Sequence, residues 1–512
     1  MTTQNGHPNY RRAPELRSRG ESARGRTGSE STRTHRARQT SSGQTNGADK
    51  SAPERRLKSP FLPPVTPRPN RKKRRVIALL VVLLIALVGF GIYRRDKIVQ
   101  YAKDLFGPEA TTVMSTATTS AARTTASPTV LTPVSTLEDP REEALIEDFF
   151  GPLPVRERHA DFDHFKIRGL YIADGSSLDY YLDLARGTEI NAFILDVKES
   201  YGLLYKSEVP LAVEMGASVK NNDLRSIIEK CHAENIRVIA RIVCFKDNVL
   251  IGRRPDLSIC NRDGEQIYFP LEANNAFADP YKTEVWDYLI DIAKEVIGFG
   301  ADEIQFDYVR FPSGYSHDGS DPWFGKPEEI PYKYQVIDRF LQTAAIEIQD
   351  NLNVPVGADI FSTILTSRID GELIGQYWAR LGQTGINNIC PMIYPSHYAN
   401  SSNHYSGNGV GSYIGDGFFA KPDLEPYEVV YNSLLDGKRH MESDEFAYIR
   451  PYLQAFTAAY LPNGYFMHYG IEEIQAQINA CVAHGYDEWI LWNVELNYPD
   501  LSPLTTGELS GN

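Results

Sequence analysis

Apolar, β-branched runs alternate with helix-like segments from residue 165 to residue 494. Short apolar runs bounded by turn residues predict strands. Eight such runs occur, at 165–173, 190–198, 236–245, 302–311, 354–362, 386–395, 449–456 and 486–494. The segments between them have apolar positions at helical spacing, and several end in Gly or Asn directly before the next strand. This alternation predicts βαβ units and a parallel sheet.

Eight strands within about 330 residues predict an α/β fold, the (β/α)8 or TIM barrel with insertions. A doubly wound open sheet is the alternative, but no GxGxxG follows a strand, so its nucleotide-binding form has no support. Only 18 residues follow the eighth strand, which is too few for an ordinary closing helix. We expect the segment 139–150 to cover that gap.

The N-terminal part has a different pattern. Residues 1–75 are rich in Arg, Ser, Thr, Gly and Pro, and this composition predicts a disordered tail. Val76–Tyr93 follows, an 18-residue stretch without a charge that is long enough to span a bilayer as a helix. Residues 94–139, rich in Ser and Thr, predict a flexible stalk. The barrel domain is expected over residues 140–505.

Charge is divided in the same way along the chain. Residues 1–75 hold 19 Lys and Arg against 5 Asp and Glu, about +14, so the remainder carries about −27 of the total −13. The positive-inside rule then places the tail in the cytoplasm and the barrel outside the cell, on a single-pass membrane protein. The acidic barrel is not expected to bind nucleic acid, which needs a basic surface. Oligomeric state is left open.

The cysteines and histidines do not form a metal motif. The five cysteines are scattered, without a CxxC pair or a His/Cys cluster, so neither a zinc site nor a disulfide framework is predicted. Cys244 and Cys390 lie inside apolar runs and are expected in the core. No metal and no cofactor is expected.

Polar and aromatic residues concentrate near the carboxyl ends of the predicted strands, where barrels of this kind carry their catalytic side chains. They are Asp196 and Lys198, Arg241, Gln305 and Asp307, Asp359, Tyr394 and His397, Gln454, and Trp492 and Asn493. A carboxylate inside an apolar strand is costly unless it is paired or functional. The residues are therefore expected to form one polar cup, whose aromatic faces and bidentate polar groups suit sugar rings.

The motifs RGLYI, NAFILDVKES, VIARIVCFKD, ADEIQFDYVRFP, GADIFS and CPMIYPSHY, in this order, resemble the bacterial glycoside hydrolase domain of the DUF4015 type. The resemblance covers residues 165–500 and implies a TIM barrel distantly similar to α-amylase-like glycosidases. Those enzymes have a nucleophilic Asp at the end of strand 4 and a general acid, usually Glu, at the end of strand 5. The resemblance therefore implies Asp307 and Asp359 as the catalytic pair, with Asp196, Glu199 and Asp247 as alternatives for the acid.

The expected function is a membrane-anchored, extracellular glycoside hydrolase that cleaves a polysaccharide or cell-envelope glycan, with a retaining mechanism favoured. Two structural alternatives concern single residues: Asp307 as a buried ion pair with Arg241, and Asp196 as a partner of Lys198. Two other function classes stay open. One is a non-catalytic glycan-binding barrel. The other is a metal-dependent hydrolase or deacetylase, which would need clustered His and Asp ligands.

Overall fold

The structure, a computed structural model, describes residues 140–507 apart from 159, 274, 315, 317, 318, 401–410, 442, 444 and 445, and its side chains from residue 145 onward. The expected tail, membrane helix and stalk, over 1–75, 76–93 and 94–139, lie outside the described residues. Among the helices that are described, none is both long and apolar enough to cross a membrane.

Eight parallel strands form the centre of the fold. They are β1 (Arg168–Tyr171), β2 (Ala192–Glu199), β3 (Arg237–Val243), β4 (Glu303–Asp307), β5 (Val356–Phe361), β6 (Asn388–Ile393), β7 (Tyr452–Gln454) and β8 (Trp489–Trp492). Strand β1 pairs in parallel with both β2 and β8, so the sheet is closed. The predicted TIM barrel is confirmed, and the doubly wound open sheet is wrong because that sheet would have two free edges.

Helices surround the barrel, one before β1 and the others after the strands. They are α1 (Pro140–Phe150), α2 (Leu178–Ala185), α3 (Pro210–Met215), α4 (Leu224–Ala233), α5 (Asn248–Arg253), α6 (Thr283–Gly298), α7 (Lys333–Ala344), α8 (Thr363–Thr366), α9 (Arg368–Ile374), α10 (Trp378–Leu381), α11 (Pro426–Arg439) and α12 (Ile471–Ala483). A π-helical segment, Ala345–Asp350, continues α7. Short strands pair outside the barrel at Gly202–Leu203, Tyr448–Ile449, Ser412–Ile414 and Gly417–Phe419.

Alternation along each strand separates two buried layers. On β2, Phe193 and Leu195 face the helices, whereas Ile194 belongs to a second apolar cluster inside the barrel together with Ile239 and Ile490. The same period of two directs Asp196, two residues after Ile194, to the interior. Cys244 and Cys390 are buried as predicted, and all five cysteines are free thiols.

The segment before the barrel does not cover the gap after β8, so that expectation is wrong. Phe150 of α1 packs against Trp286 of α6, with ring centroids 4.7 Å apart, on a different side of the barrel. The chain after β8 fills the gap itself. Leu501 and Leu504 are buried there, and Trp489 Nε1 donates to Thr506 Oγ1 at 3.2 Å.

A buried ion network closes the interior at the N-terminal end of the strands. Arg450 donates to Glu303 Oε1 at 2.5 Å and to Glu488 Oε2 at 2.9 Å, and Asn388 Nδ2 donates to Glu303 at 3.1 Å. His164 contacts the other oxygen of Glu488. Arg450 reaches this position because the strand pairing is interrupted between Ile449 and Tyr452, where the proline between them has no N–H to donate.

Candidate active site

Arg241 of β3 lies among four carboxylates at the C-terminal end of the barrel. Its Nη1 donates to Asp196 at 2.7 Å and to Glu199 at 2.8 Å. Its Nε and Nη2 donate to Asp307 Oδ2 at 3.0 Å and 2.5 Å. Asp359 Oδ2 lies 3.9 Å from the same Nε. One guanidinium therefore faces four carboxyl groups, and only some of them can be balanced as anions.

Strand register brings these groups together. Asp196 is the parallel partner of Arg241, and Val243, two residues further along β3, is the partner of Asp307. Phe306 pairs with Ala358, so the two following residues, Asp307 at the end of β4 and Asp359 two residues before the end of β5, lie side by side. Asp307 and Asp359, which follow Asp196 by 111 residues or more, thus meet it around Arg241.

Asp307 and Asp359 have different environments. Asp307 accepts two bonds from Arg241 at Oδ2, and the Tyr308 N–H donates to its Oδ1 at 2.6 Å. The Asp359 side chain is 1% exposed, and its Oδ1 has no hydrogen-bond partner among the described residues. Burial, reinforced by the Asp307 charge, raises the pKa of Asp359 well above its usual range. Asp359 is therefore suited to hold a proton, whereas Asp307 accepts bonds from a guanidinium and from a backbone N–H.

Asp196 is a second carboxyl group with a raised pKa. Burial raises the pKa of Asp196 to about 7, and Glu199 adds to the effect while Arg241 opposes it. The Tyr171 hydroxyl donates to Asp196 Oδ2 at 2.6 Å. The alternative in which Asp196 pairs with Lys198 is wrong, because Asp196 bonds to Tyr171 and Arg241 instead.

The residue after Asp307 is held in an unusual backbone conformation. Tyr308 has φ +51°, the left-handed region that costs roughly 1–2 kcal/mol for a residue other than glycine. Lys246 Nζ lies 4.8 Å from the centroid of its ring, and Arg310 Cζ lies 5.0 Å from it. Both cations bond to the buried Glu272, at 3.3 Å and 2.9 Å. This cluster fixes the turn that aims the Tyr308 N–H at Asp307.

An aromatic wall stands beside the carboxylates. Tyr394 stacks on Trp492, with centroids 5.1 Å apart and planes 21° apart. Phe456 meets Trp492 edge-on at 5.2 Å, and His397 lies 4.9 Å from Tyr394. Trp492 and His397 remain partly exposed. Carboxylates, one guanidinium and partly exposed aromatic faces are the groups that bind and cleave sugars.

The sequence model of one protein family, described as "Putative glycosyl hydrolase domain" and designated DUF4015, matches residues 167–498. The chain belongs to the DUF4015 family. This match confirms the resemblance drawn from the motifs and supports glycosidase activity. A search of curated protein sequences gave no match.

Solved structures that resemble the DUF4015 chain include glycosidases. A hypothetical protein from Ruminiclostridium thermocellum ATCC 27405 is 34% identical over 37% of this chain and 96% of its own, with a TM-score of 0.31. The α-galactosidase TtGalA from Thermus thermophilus is 11% identical over 69% of this chain and 62% of its own (TM-score 0.37). The α-L-fucosidase isoenzyme 2 from Paenibacillus thiaminolyticus is 12% identical over 67% and 47% (TM-score 0.40).

Five of the expected binding residues lie at the C-terminal end of the DUF4015 barrel, in two groups. Tyr394, His397 and Trp492 form the aromatic wall, and Asp196 and Arg241 belong to the carboxylate cluster. These five and the two expected catalytic residues, Asp307 and Asp359, are brought together as the sequence predicts.

Lys198 does not join its expected neighbour Asp196. The β2–β3 register shifts between these two residues, which is the mark of a β-bulge, so the period of two fails there. Lys198 is fully buried, donates to the Val243 carbonyl at 2.6 Å and pairs with Asp247 at 2.9 Å. Asp247, one of the alternatives for the acid, also caps helix α5 through bonds from two backbone N–H groups.

Three amides hold the scaffold around the site instead of opening onto it. Gln305 is fully buried below Asp307 and bonds to Tyr452 and Cys390. Gln454 accepts from the Ser396 N–H and donates to Asp423, which fixes the loop after β6. Asn493 Nδ2 donates to the carbonyls of Ala455 and Asn497, and its side-chain oxygen accepts from Glu495 N.

Two site residues were not foreseen from the sequence, Tyr171 and Phe456. Tyr171 closes β1 and could have been recognised as an aromatic residue at a strand end, by the rule used for the other strands. Phe456 lies two residues beyond β7 and offered no polar signal. Among the described residues, no group of three or more His, Cys, Asp or Glu side chains could hold a metal ion, so the metal-dependent alternative has no candidate site there.

Proposed function

We propose that this chain is a glycoside hydrolase that cleaves a polysaccharide or cell-envelope glycan with Asp307 and Asp359. One observation carries the proposal: the carboxyl groups of Asp307 and Asp359, on neighbouring strands, both face Arg241 Nε, at 3.0 Å and 3.9 Å, and Asp307 accepts two hydrogen bonds from the guanidinium. Glycoside cleavage commonly needs one carboxylic acid and one carboxylate on either side of the scissile bond. Burial raises the pKa of Asp359, which suits it to the role of the acid, and Asp307, which accepts two bonds from Arg241, is left as the nucleophile.

In this proposal, Asp359 donates its proton to the glycosidic oxygen while Asp307 attacks the anomeric carbon. Asp359, now a carboxylate, then takes a proton from the water that hydrolyses the glycosyl-enzyme. The two Oδ2 atoms lie 3.0 Å and 3.9 Å from Arg241 Nε, so their separation cannot exceed the sum of these distances. That limit admits the roughly 5–5.5 Å typical of retaining enzymes and only the shortest of the roughly 6.5–9.5 Å separations typical of inverting ones.

The aromatic wall supports a sugar as the ligand. Trp492 is partly exposed and is braced by Tyr394 on one face and by Phe456 at its edge. A ring held in this way loses little freedom when a sugar face packs against it. We propose Trp492 and His397 as the first contacts for the sugar next to the scissile bond.

We propose that the barrel acts outside the cell, anchored by Val76–Tyr93. The support is sequence alone: 18 uncharged residues, a basic flank on both sides and a much larger positive charge before the segment than after it. Protease added to intact cells should remove the barrel and leave the N-terminal tail protected. Protection of the barrel would contradict this location.

A non-catalytic glycan-binding barrel is the second candidate, because both Asp307 oxygens are already bonded, to Arg241 and to the Tyr308 N–H. A carboxylate held this firmly resembles a structural ion pair. In this case the cup would bind a glycan without cleaving it, and Asp307→Asn would leave that binding largely intact.

Release of reducing ends by the purified full-length chain, measured on a panel of envelope and plant polysaccharides, tests the proposal. Asp307→Asn should abolish release. The matched control is Asp338→Asn, which changes a different buried aspartate, in helix α7 outside the site. Release by the control and not by Asp307→Asn supports the hydrolase. Binding without release by the wild-type chain supports the second candidate.

A further inference from the structure

Three tyrosines lie together outside the carboxylate cluster and the aromatic wall: Tyr332, which is exposed, and Tyr334 and Tyr377, which are partly exposed. We call them the tyrosine platform. The rings of Tyr332 and Tyr334 are nearly parallel, with planes 7° apart and centroids 5.9 Å apart. Tyr377 meets Tyr334 at 5.6 Å and 63°. Tyr332 is 61% exposed. Two nearly parallel rings at this spacing, one of them largely exposed, offer an extended stacking surface at the protein surface.

The platform lies at the same end of the barrel as the carboxylates. Tyr332 and Tyr334 begin helix α7 after β4, and Tyr377 precedes α10 after β5, so the platform belongs to the two connections that follow Asp307 and Asp359. Contacts tie these connections together. The Phe311 N–H donates to the Ile374 carbonyl at 2.8 Å.

Lys333 links the two connections that carry the tyrosine platform. Its Nζ donates to the Leu373 carbonyl at 3.0 Å and lies 5.1 Å from the centroid of the Phe311 ring. Phe311 is itself only four residues beyond Asp307. The platform therefore rests on the buried extension of the catalytic strand and is positioned relative to it by hydrogen bonds.

Apolar and polar groups around the platform fit a carbohydrate. Ile369 and Leu373 on α9, the helix that ends just before Tyr377, are 71% and 52% exposed. They add exposed apolar side chains to the connection that carries Tyr377, and exposed apolar patches mark interaction sites. Arg368 Cζ lies 5.0 Å from the centroid of the Tyr377 ring, and Arg368 pairs with Glu372 at 2.8 Å. Flat aromatic faces beside a guanidinium and a carboxylate repeat the chemistry of the cup.

We propose that the tyrosine platform is a second binding site for the polysaccharide, where sugar faces stack on Tyr332 and Tyr334 while another part of the same strand occupies the cup. The platform belongs to the connections that follow β4 and β5, at the same end of the barrel as Asp307 and Asp359, and this placement favours a glycan strand over another occupant. The proposal rests on the proposed function and extends it, because a site outside the cup is useful only for a long polymer. The enzyme is then one that acts on polymers in preference to small glycosides.

The test compares polymer binding and short-substrate hydrolysis in Tyr332→Ala/Tyr334→Ala. Binding is measured as retardation of the full-length chain in native gels that contain soluble neutral polysaccharides. Loss of two stacking contacts should weaken retardation about tenfold and raise the KM for polymer by a similar factor. Hydrolysis of a short chromogenic glycoside should keep its kcat and KM. Tyr332→Trp, which keeps a flat face, should retain binding.

Tyr413→Ala is the matched control. Tyr413 is 82% exposed but lies on the hairpin Ser412–Phe419, outside the platform. Equal retardation of the double variant and the wild-type chain would overturn the proposal, as would a wild-type chain that no polysaccharide retards. If the wild-type chain self-associates, the double variant does not, and polymer binding is unchanged, then the platform is a protein contact and the proposal is overturned. The wild-type chain could also be retarded by a polysaccharide but hydrolyse none, with the retardation lost in the double variant. That result would disprove the hydrolase and leave the platform in place.

Discussion

The two ends of the barrel interior each hold an arginine among carboxylates, and they differ in how the charges are balanced. At the N-terminal end, Arg450 and His164 face Glu303 and Glu488, and no buried side-chain atom of these described residues lacks a hydrogen bond. At the C-terminal end, Arg241 alone faces four carboxylates, and one of them, Asp359, has an unbonded buried oxygen.

The difference separates structure from chemistry. A satisfied buried network holds its parts in one arrangement and has no free group to offer a ligand. An unsatisfied buried carboxyl group is costly to the fold, and one that lies beside other carboxylates at the C-terminal end of a barrel is a candidate for chemistry. The N-terminal network is therefore expected to matter for stability, and the C-terminal cluster for activity.

The variant with the largest expected effect on this distinction between the two ends is Asp359→Asn. Loss of a positioned proton donor should lower kcat by roughly 10²–10⁴-fold, because the leaving group would depart unprotonated. The asparagine has nearly the same shape, so thermal unfolding should be little affected at acidic pH. Substrates with a good leaving group, such as nitrophenyl glycosides, should recover most of the lost rate. A variant that stays slow with them would show that Asp359 is not the acid.

At the other end, Arg450→Met should lower the free energy of unfolding by about 3–5 kcal/mol, because Glu303 and Glu488 would be left buried without their cation. Chemical denaturation measures this loss, and kcat of the folded fraction should stay near the wild-type value. Arg241→Met is the paired variant. It also removes a cation from buried carboxylates, and it should in addition abolish hydrolysis. Equal losses of stability and activity in both variants would erase the distinction between the two ends.

Stability against pH sharpens the comparison further. The pKa of Asp359 is higher in the folded chain than in the unfolded chain. Its contribution to stability is therefore full at pH values below the pKa that Asp359 has in the unfolded chain, and it is lost as the pH rises through the pKa that Asp359 has in the folded chain. Asp359→Asn removes that dependence. Between the two pKa values, the wild-type chain should lose about 1.4 kcal/mol per pH unit relative to the variant. Denaturant titrations at a series of pH values measure this slope, and parallel curves would contradict the raised pKa.

The smallest expected effect concerns Tyr171→Phe. The Tyr171 hydroxyl bonds to Asp196 and helps its ionised form, so its loss should raise the pKa of Asp196 above about 7. Hydrolysis at neutral pH should change by about tenfold or less, equivalent to roughly 1 kcal/mol for one hydrogen bond. The carboxyl signal of Asp196, followed by NMR titration, measures the shift directly. An unchanged titration would remove Tyr171 from the site.

The sequence by itself determined the order of strands and helices, the closed barrel and the meeting of Asp307 with Asp359. These follow from local periodicity and from the rule that parallel strands place their carboxyl ends together. Its expectations for residues 1–139 stand on sequence alone. Only the tertiary structure decided the partner of Lys198, because a one-residue bulge between Asp196 and Lys198 breaks the period of two.

Only the tertiary structure decided which buried charges pair and which segment covers the gap after β8. No local pattern indicates that Arg450 turns inward to meet Glu303, which is 147 residues away, or that the C-terminal segment replaces a closing helix. Asp359 is a carboxylate in the sequence, and its unbonded oxygen exists only because β4 and β5 bury it beside Asp307. Periodicity assigns a side chain to a face of the sheet, whereas its partner, its hydration and therefore its protonation depend on residues that are distant in the chain.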